Sequence, residues 1–257
     1  MKQVKYSFGG AIDRFRPFFF AAALCLTTSL GAQSPFPDEG MPETDFRPIF
    51  DGRTLDGWTY DPVYWRVEEG CIVGEVTPET LLERNSFIIW RGDAPADFEL
   101  KMEYRVSAEG NSGINYRSSE VPGVPDALRG YQLDIDGQGE WTGQNCEERG
   151  RTFLALRGQV SCVETGKKPY VVGSTGDKAE LFSQIDRDGW NECHVIARGH
   201  TLIHLINGHV MSVVVDDDPQ ERTSEGLIGM QVHVGPPMKI EFRNIRLKTD
   251  RKEVSGR

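Results

Sequence analysis

Four segments of the sequence place polar side chains at every second position, and their residue types suit the binding of a polar ligand. Asn, Gln, Asp, His and Arg donate or accept hydrogen bonds in fixed geometry. If the four segments are neighbouring strands, their polar side chains form one continuous surface. An ordinary solvent-facing side of an antiparallel sheet is the alternative. The residues are Glu103 and Arg105, Asn115 and Arg117, Gln132, Asp134 and Asp136, and Gln231 and His233.

The elements that must hold these residues are β-strands, because apolar and polar residues alternate with a period of two, most regularly in Phe98–Val106. An Asn-Gly pair at 207–208, flanked by apolar residues, predicts a hairpin. The best candidate for a short helical turn is 77–82. Further strands are predicted at 46–50, 65–76, 87–90, 113–117, 131–136, 152–156, 181–185, 191–197, 202–206, 210–215, 227–234 and 239–247.

Many short strands separated by turns predict an all-β fold, either a β-sandwich or a jelly roll. Residues 46–249 are long enough for one such domain. The acidic, Pro-rich residues 33–45 are predicted to be a linker, and residues 250–257 a polar tail.

The first 32 residues have the pattern of a secretory signal peptide. Four basic residues precede an apolar run that is too short to span a bilayer, and small residues follow at 29–32. We therefore expect an exported protein, periplasmic or secreted, with no stable membrane insertion after cleavage. An uncleaved anchor is the alternative.

The formal net charge of −10 limits the classes of partner. An acidic chain without a basic tract argues against binding to nucleic acid or to an anionic membrane surface. A neutral small molecule, such as a sugar, is compatible with this charge.

Four cysteines lie outside the predicted signal peptide: Cys71, Cys146, Cys162 and Cys193. An even number in an exported chain permits two disulfides, and we expect Cys146 to pair with Cys162. The sequence has no C-x-x-C spacing, which disfavours a zinc site.

Seven phrases, in this order, resemble the 3-keto-disaccharide hydrolase family, also described as 3-keto-glucoside 1,2-lyases/3-keto-2-hydroxyglucal hydratases. Each phrase alone is weak, but together they cover nearly the whole predicted mature chain. They are FRPIFDGRTLDGW (46–58), WRVEEGCIVGE (65–75), DFELKMEYRV with GNSGINYR (97–117), RGYQLDID (129–136), EWTGQNCEERGR (140–151), DGWNECHVIARG with LIHLINGH (188–209) and GLIGMQVHVGPPMKIEFRNIRLK (226–248).

The resemblance implies a concanavalin A-like jelly roll of two antiparallel sheets, with sugar bound on the concave face. This agrees with the polar surface inferred from the residue pattern. One segment departs from the family, because many members read Gly-Tyr-Glu-x-Gln-Ile-x-Asp where this chain has GYQLDID at 130–136. The carboxylate has moved by two residues on the same face, so the catalytic geometry of those members is not carried over.

The resemblance also implies a reaction, the cleavage of 3-keto-glycosides by elimination and hydration. A ketone at carbon 3 acidifies the proton on carbon 2, and the group on carbon 1 can then leave. The reaction needs a base, a donor for the enolate oxygen and an acid for the leaving group. It requires neither NAD nor a covalent nucleophile; a divalent metal such as Ca²⁺ is an open alternative.

The polar surface offers candidates for each role. The candidate bases are Asp134 and, failing it, Asp136 or Glu103. Asn115 and Arg117 are candidates to hold the oxyanion, and His233 or Glu147 to protonate the leaving group. Other substrate-binding candidates are Gln132, Arg105, Tyr131, Arg149, Gln231 and Trp141, of which Trp141 could stack on a sugar ring.

Each assignment has a structural alternative. Asp134 and Glu103 could pair with Arg117 and Arg105 in a cross-strand salt-bridge ladder, and His233 could be structural. The acidic run at 216–219 could bind Ca²⁺, but a solvated turn is the preferred interpretation.

Two other functions stay open: a non-catalytic, lectin-like carbohydrate-binding module and a conventional glycoside hydrolase with paired carboxylates. The carboxylates and the histidine favour an enzyme. The motifs of serine hydrolases of the G-x-S-x-G type, P-loop NTPases, zincins and Rossmann enzymes are absent from the sequence.

Overall fold

The computed structural model describes residues 45–249, and its regular structure is almost entirely β-strand. The predicted signal segment 1–32, linker residues 33–44 and the tail 250–257 lie outside the described residues. The strands are β1 (Arg47–Pro48), β2 (Trp58–Thr59), β3 (Trp65–Glu68), β4 (Cys71–Val76), β5 (Ser86–Trp90), β6 (Phe98–Val106), β7 (Asn111–Glu120), β8 (Leu128–Asp136), β9 (Asn145–Glu148), β10 (Thr152–Ala155), β11 (Gln159–Val163), β12 (Tyr170–Ser174), β13 (Asn191–Arg198), β14 (Thr201–Ile206), β15 (His209–Asp216), β16 (Leu227–Val232) and β17 (Met238–Thr249).

These strands form two sheets, as expected for the predicted jelly-roll sandwich. The ten-stranded sheet has the order β12-β11-β15-β14-β13-β6-β17-β4-β3, with β1 also paired to β17. The seven-stranded sheet has the order β10-β9-β8-β7-β16-β5-β2. All pairings are antiparallel except β11 with β15. The predicted hairpin at Asn207-Gly208 joins β14 to β15, and both residues have the positive φ that a tight hairpin turn requires.

The core lies between the sheets and is built by the period-two pattern. In β6, for example, Phe98, Leu100, Met102 and Tyr104 are each at most 1% exposed, and their neighbours face outward. Burial of such a side chain stabilises the fold by about 1.5–3 kcal/mol.

Some predicted elements are wrong. The segment 181–185 is not a strand, because a helix, α1 (Lys178–Phe182), ends within it. Asp177 caps that helix by accepting hydrogen bonds from the backbone N–H groups of Ala179 and Glu180. The segment 77–82 contains a turn and no helix, and 65–76 is two strands joined by a turn at Glu69-Gly70, where both φ angles are positive. The prediction also omitted β2, β9, β11 and β12.

The only helix within residues 45–249 has five residues. Nothing in this part of the chain is therefore a helix with the length and apolar character needed to cross a membrane.

Candidate functional site

A row of side chains crosses the outer face of the seven-stranded sheet, the face opposite the core. The antiparallel register pairs Gly229 with Asn115, Asn115 with Gln132, Gln132 with Cys146 and Cys146 with Phe153. Directly paired residues project to the same side of a sheet. We call this side the polar face.

A chain of hydrogen bonds on the polar face ends at Asp134. The Gln231 amide donates to Oε1 of Gln132 (3.2 Å), and Nε2 of Gln132 donates to Oδ1 of Asp134 (2.7 Å). Gly113, the cross-strand partner of Asp134, makes this arrangement possible, because a Cβ at that position would lie 2.4 Å from the Gln132 amide carbon. The predicted convergence of β7, β8 and β16 is therefore present in the structure.

Two amides on the polar face keep unused hydrogen-bonding capacity. Asn115 is fully buried, and neither its Nδ2 nor its Oδ1 has a partner within the described chain; the same is true of Oε1 of Gln231. Buried polar groups are usually paired, so these three atoms are exceptions on the polar face within the described chain.

Asp134 is a buried carboxyl without a cationic partner among residues 45–249. Burial raises the pKa of Asp134 to about 7; the Gln132 hydrogen bond opposes this, and the charges of Glu148 and Asp136 add to it. The group therefore exchanges protons near neutral pH, as a general base does.

Glu148 places a second carboxylate on the polar face, opposite Gly130. It accepts a hydrogen bond from Asn85 (3.3 Å) and lies 3.7 Å from the guanidinium of Arg149. Asn85 precedes β5, which lies four strands from β9 in the sheet order. The loop before β5 therefore reaches Glu148 over the polar face.

A small apolar cluster covers the β5 and β16 side of the polar face. It consists of Phe87, Ile89 and Leu128, with Leu227 packed against them. Leu128 lies directly over Gly229, where a Cβ would be 2.6 Å from its methyl group. The polar side chains of β8 and β9 therefore lie on the half of the polar face nearer to β10, and the apolar cluster covers the half nearer to β5.

An exposed aromatic pair borders the polar face at its other edge. Trp141 and Phe153 are 38% and 43% exposed, and their rings stack with centroids 5.5 Å apart and planes 12° apart. Phe153 faces the same side as Cys146 because the two residues are paired. The structure thus places the predicted stacking residue Trp141 beside the polar face.

A buried network on the core side fixes the backbone at Asp134. Nδ1 of His204 contacts the Gln144 carbonyl (3.0 Å), which also accepts the Asp134 N–H (3.2 Å). Since a carbonyl only accepts, Nδ1 carries the proton, and Nε2 accepts from the hydroxyl of Tyr116 (2.8 Å). Burial lowers the pKa of His204 to about 3, so the ring is neutral.

The prediction that Glu103 and Arg105 share this surface is wrong. Both lie on β6, in the ten-stranded sheet. Glu103 binds Arg243 (2.7 Å), and Arg105 binds Glu241 (2.8 Å), so both belong to a cross-strand salt-bridge ladder. The sequence pattern identified the exposed side of each strand but not which sheet the strand joins.

Arg117 also lies away from the polar face, because a β-bulge interrupts the alternation of β7 after Tyr116 and gives Arg117 a φ of 46°. Its guanidinium is buried and donates to the carbonyls of Ala96 and Gly199. The pairing of Arg117 with Asp134 in a salt-bridge ladder, proposed as an alternative, is therefore wrong.

Tyr131 and Glu147 face the core side of their strands. The Tyr131 hydroxyl donates to Asp216 (2.6 Å), and Arg151 bridges Asp216 (2.6 Å) and Glu147 (2.7 Å). These groups form a buried network, so Glu147 does not reach the polar face from the rim as predicted.

Asp136 and His233 are engaged near the end of the polar face. Asp136 accepts hydrogen bonds from the backbone N–H groups of Glu140, Trp141 and Thr142. Its carboxylate therefore stabilises the loop that follows β8. His233 is half-buried just after β16, and its Nδ1 contacts the Val234 carbonyl (2.6 Å).

The predicted Cys146–Cys162 disulfide is absent, since all four cysteines in the described chain are free. Cys146 is on the seven-stranded sheet and Cys162 on the ten-stranded sheet. Burial raises the pKa of the Cys146 thiol, with Asp134 adding to the effect.

The acidic run at 216–219 does not gather its carboxylates around one point. Asp216 binds Arg151 (2.6 Å), Asp217 contacts His200 (2.9 Å), and Asp218 accepts from Thr165 (2.8 Å). Across residues 45–249, no group of three or more His, Cys, Asp or Glu side chains could hold a metal ion.

The sequence interpretation omitted Glu148, Asn85 and Phe153. Alternation separates the adjacent Glu147 and Glu148 onto opposite faces, but β9 (NCEE) has no apolar row to show which face is inner. Asn85 lies outside the strands, and an exposed Phe cannot be told from a core Phe by residue type.

A comparison with known families gives a match over the whole described domain. A family model described as the 3-keto-alpha-glucoside-1,2-lyase-like domain matches residues 45–248. A curated protein named 3-keto-disaccharide hydrolase, from Bacteroides thetaiotaomicron, is 40% identical over 244 residues, covering 78% of this chain and 77% of that protein.

Solved structures share the fold at low sequence identity. A putative glycosyl hydrolase from Parabacteroides distasonis superposes with a TM-score of 0.53 at 21% identity, covering 81% of this chain and 95% of its own. A Bacillus subtilis protein of unknown function, with a galectin-like fold, gives 0.51 at 11% identity, covering 76% and 90%. The carbohydrate-binding module CBM66 from Bacillus subtilis gives 0.50 at 16%, covering 75% and 96%.

Proposed function

This chain belongs to the 3-keto-alpha-glucoside-1,2-lyase-like family, and from that premise we propose that it cleaves 3-keto-glycosides by elimination followed by hydration. The observation that supports this most directly is the buried carboxyl of Asp134, with a pKa of about 7, on the same face as amide atoms that lack partners within the described chain. The name of the Bacteroides thetaiotaomicron relative supports the same substrate class.

The proposed elimination breaks the carbon 2–hydrogen and carbon 1–oxygen bonds, and it transfers one proton to Asp134 and another to the leaving oxygen. Asp134 takes the proton from carbon 2, and the electron pair moves toward the ketone at carbon 3. The resulting enolate expels the oxygen on carbon 1, which takes a proton from a second acid, Glu148, as a double bond forms between carbons 1 and 2. Water then adds hydroxide to carbon 1 and a proton to carbon 2, which yields the free 3-keto sugar.

Asp134 suits the role of base because a pKa near the working pH combines a large ionised fraction with a strong tendency to take the proton. Its only side-chain hydrogen-bond partner within the described residues, Gln132, holds one carboxylate oxygen and leaves the other to face the substrate. A positioned acid–base group typically contributes about 10²–10⁴-fold to the rate.

The amides supply the remaining polar contacts. Nδ2 of Asn115 and Oε1 of Gln231 are covered in the described chain, so substrate binding must displace the side chains above them. Nδ2 of Asn115 can then donate to the oxygen of carbon 3, whose negative charge grows as the proton leaves. A fixed donor at such a position is worth most in a site without water. Oε1 of Gln231 can accept from a sugar hydroxyl. Binding substrate would thus satisfy atoms that the described chain leaves unpaired.

We assign the second acid–base function to Glu148. Asn85 and Arg149 fix this carboxylate on the polar face, and it is close enough to Asp134 to raise the pKa of that group. In the hydration step it would orient the attacking water, while the protonated Asp134 returns its proton. His233, the acid predicted from the sequence, is held by a backbone carbonyl at the edge of this face.

We further propose that the reaction needs neither an organic cofactor nor a bound metal. The ketone itself takes up the charge that a cofactor or Lewis acid would otherwise stabilise. Activity is therefore expected to survive exhaustive dialysis against EDTA, and restoration by added Ca²⁺ would contradict this part of the proposal.

The signal-like pattern of residues 1–32 supports export of the protein, so we propose that it acts outside the cytoplasm. Terminal sequencing of the mature protein from its native host tests this directly, and a start before residue 29 would contradict it.

The reaction is tested by incubating the protein with a methyl glucoside and with its 3-keto derivative, following methanol release and enone absorbance. In deuterated water, the carbon-2 hydrogen of the 3-keto substrate is expected to exchange, with a rate that rises with pH toward a plateau above about 7, as the pKa of Asp134 requires. Cleavage of the unoxidised glucoside would instead support a conventional glycoside hydrolase. Binding of either sugar without turnover would support a carbohydrate-binding module.

A further inference from the structure

The aromatic pair at the edge of the polar face is built as a flat and rigid surface. The rings of Trp141 and Phe153 are nearly parallel, and both are more than one-third exposed. Phe153 comes from the edge strand β10, and Trp141 from the loop between β8 and β9. An exposed and stacked aromatic pair presents a flat apolar surface to a ligand.

Two buried charged side chains hold the loop that presents Trp141. The Asp136 carboxylate accepts three consecutive backbone N–H groups, including that of Trp141 at 2.9 Å. The Arg157 guanidinium donates to the carbonyls of Gly139 (2.7 Å) and Thr142 (2.8 Å). Asp136 is 7% exposed and Arg157 is 4% exposed. Burying two charges to fix one surface loop is costly, which indicates that the position of Trp141 matters.

The distance from Asp134 determines which part of a substrate would meet these rings. Asp134 is on β8, and Phe153 is on β10, two strands away. Neighbouring strands lie about 4.8 Å apart, so the two backbones are separated by about 10 Å. A sugar ring whose carbon 2 lies at Asp134 covers the β8 side of the polar face, and the next ring of the same molecule reaches β10.

From this geometry we propose that Trp141 and Phe153 form a subsite for the leaving group and that this leaving group is a ring with an apolar face, such as a second hexopyranose. The inference rests on the proposed reaction, in which the group on carbon 1 departs. Aromatic rings recognise the C–H face of a sugar by stacking. Asp136 and Arg157 are positioning residues for this subsite.

The test compares two substrates that differ only in the leaving group, a 3-keto disaccharide and a methyl 3-keto-glucoside. We expect Trp141→Ala and Phe153→Ala each to lower kcat/KM for the disaccharide at least tenfold, mainly by raising KM. For the methyl glycoside, each substitution should change kcat/KM less than twofold. Tyr170→Ala, which removes an exposed aromatic ring from β12 of the other sheet, is the matched control and should alter neither value. Equal losses on both substrates, or no loss on either, would overturn the proposal.

Asp136→Asn tests the positioning role. It weakens the acceptor of three N–H groups but leaves both rings in place, so it should raise KM for the disaccharide by a larger factor than KM for the methyl glycoside. A loss confined to kcat on both substrates would contradict this role.

A failure of the proposed reaction can be separated from a failure of the subsite. If the unmodified protein cleaves neither 3-keto substrate, the reaction is wrong, and calorimetric titration with an unoxidised disaccharide then tests the subsite alone. Binding that weakens at least tenfold in Phe153→Ala supports the subsite, and unchanged binding rejects it.

Discussion

The outer faces of the two sheets show how similar sequence patterns produce opposite electrostatic environments. On the ten-stranded sheet, Glu103 is partly buried, yet hydrogen bonds from Asn244 and Arg243 lower its pKa. Glu241 behaves similarly through Arg105. On the seven-stranded sheet, burial raises the pKa of Asp134, and its side-chain hydrogen-bond partner is an amide.

The difference lies in what the neighbouring strands contribute. Arg243 of β17 pairs with Glu103 of β6, and Arg105 of β6 pairs with Glu241 of β17, so an arginine balances the charge of each carboxylate and keeps it ionised. On the polar face, the strands beside β8 supply Asn115, Cys146 and Glu148, none of which is a cation. A paired carboxylate stabilises a sheet modestly, whereas an unpaired one among amides is available for chemistry at some cost in stability.

The largest expected contrast between the two faces is in catalysis. Asp134→Asn removes the base and should lower kcat/KM for a 3-keto-glycoside by about 10²–10⁴-fold. Glu103→Gln makes the same chemical change on the other sheet and should leave the rate within about twofold. Steady-state kinetics at pH 8 measures both, and equal effects of the two substitutions would remove the basis for separating the faces.

Asn115→Leu removes the buried, unpaired amide that we propose to contact the substrate. Loss of one oxyanion donor typically costs about 10²–10³-fold in kcat, while removal of a buried unsatisfied polar group should leave the melting temperature unchanged or higher. The combination of slower turnover with undiminished stability distinguishes a functional amide from a structural one. A lower melting temperature with normal turnover would identify Asn115 as structural.

Asp134→Asn should also stabilise the protein at alkaline pH. Because its pKa is raised from 3.8 to about 7, the folded state binds more protons than the unfolded state between those values, so the stability of the unmodified protein falls as pH rises through this window. At about 1.4 kcal/mol per unit, the upper bound is about 4 kcal/mol above pH 7 and nothing below pH 4. Urea unfolding at pH 4 and pH 8 measures the difference, and a variant less stable at pH 8 would contradict a raised pKa.

The smallest expected effect is that of Glu103→Gln on stability. Unlike Asp134→Asn, this substitution should destabilise the protein. The pKa of Glu103 is lower in the folded protein than the value of 4.5 expected in the unfolded chain. The ionised Glu103 therefore stabilises the fold above pH 4.5, and this stabilisation is lost as the pH falls through the pKa of the folded state. Partly exposed ion pairs contribute about 0.2–1 kcal/mol, so the variant should be destabilised by no more than that at pH 7. High salt should reduce the difference, and a difference that persisted at pH 2 would have to arise from packing.

Much of the fold could be predicted from the sequence, because period-two alternation is a local property. The 98–106 strand and the Asn207-Gly208 hairpin are present where the pattern placed them. The strand prediction failed at Leu181, which follows a helix cap formed by Asp177. It also failed at β9, which has no apolar row, and at β12, where Tyr170, Val171 and Val172 follow one another without alternation and are all exposed.

The candidate site was predictable only in part, for a related reason. One face carries the side chains of Asn115, Gln132, Asp134 and Gln231. Their strands β7, β8 and β16 are neighbours, and inward and outward side chains alternate without interruption at these positions. Arg117 lies off that face because a β-bulge interrupts the alternation of β7. Glu148 lies on that face but belongs to β9, a strand that the sequence pattern did not predict.

The sequence alone determined the all-β class, the side of each regular strand that is polar, and the family resemblance, since each depends on residues close together in the chain. Only the tertiary structure decided which polar rows meet, because strand order and bulges are set by the packing of distant segments. The same packing decided that Glu103 is neutralised by arginine and that Asp134 is left near neutral pH without a cation among residues 45–249.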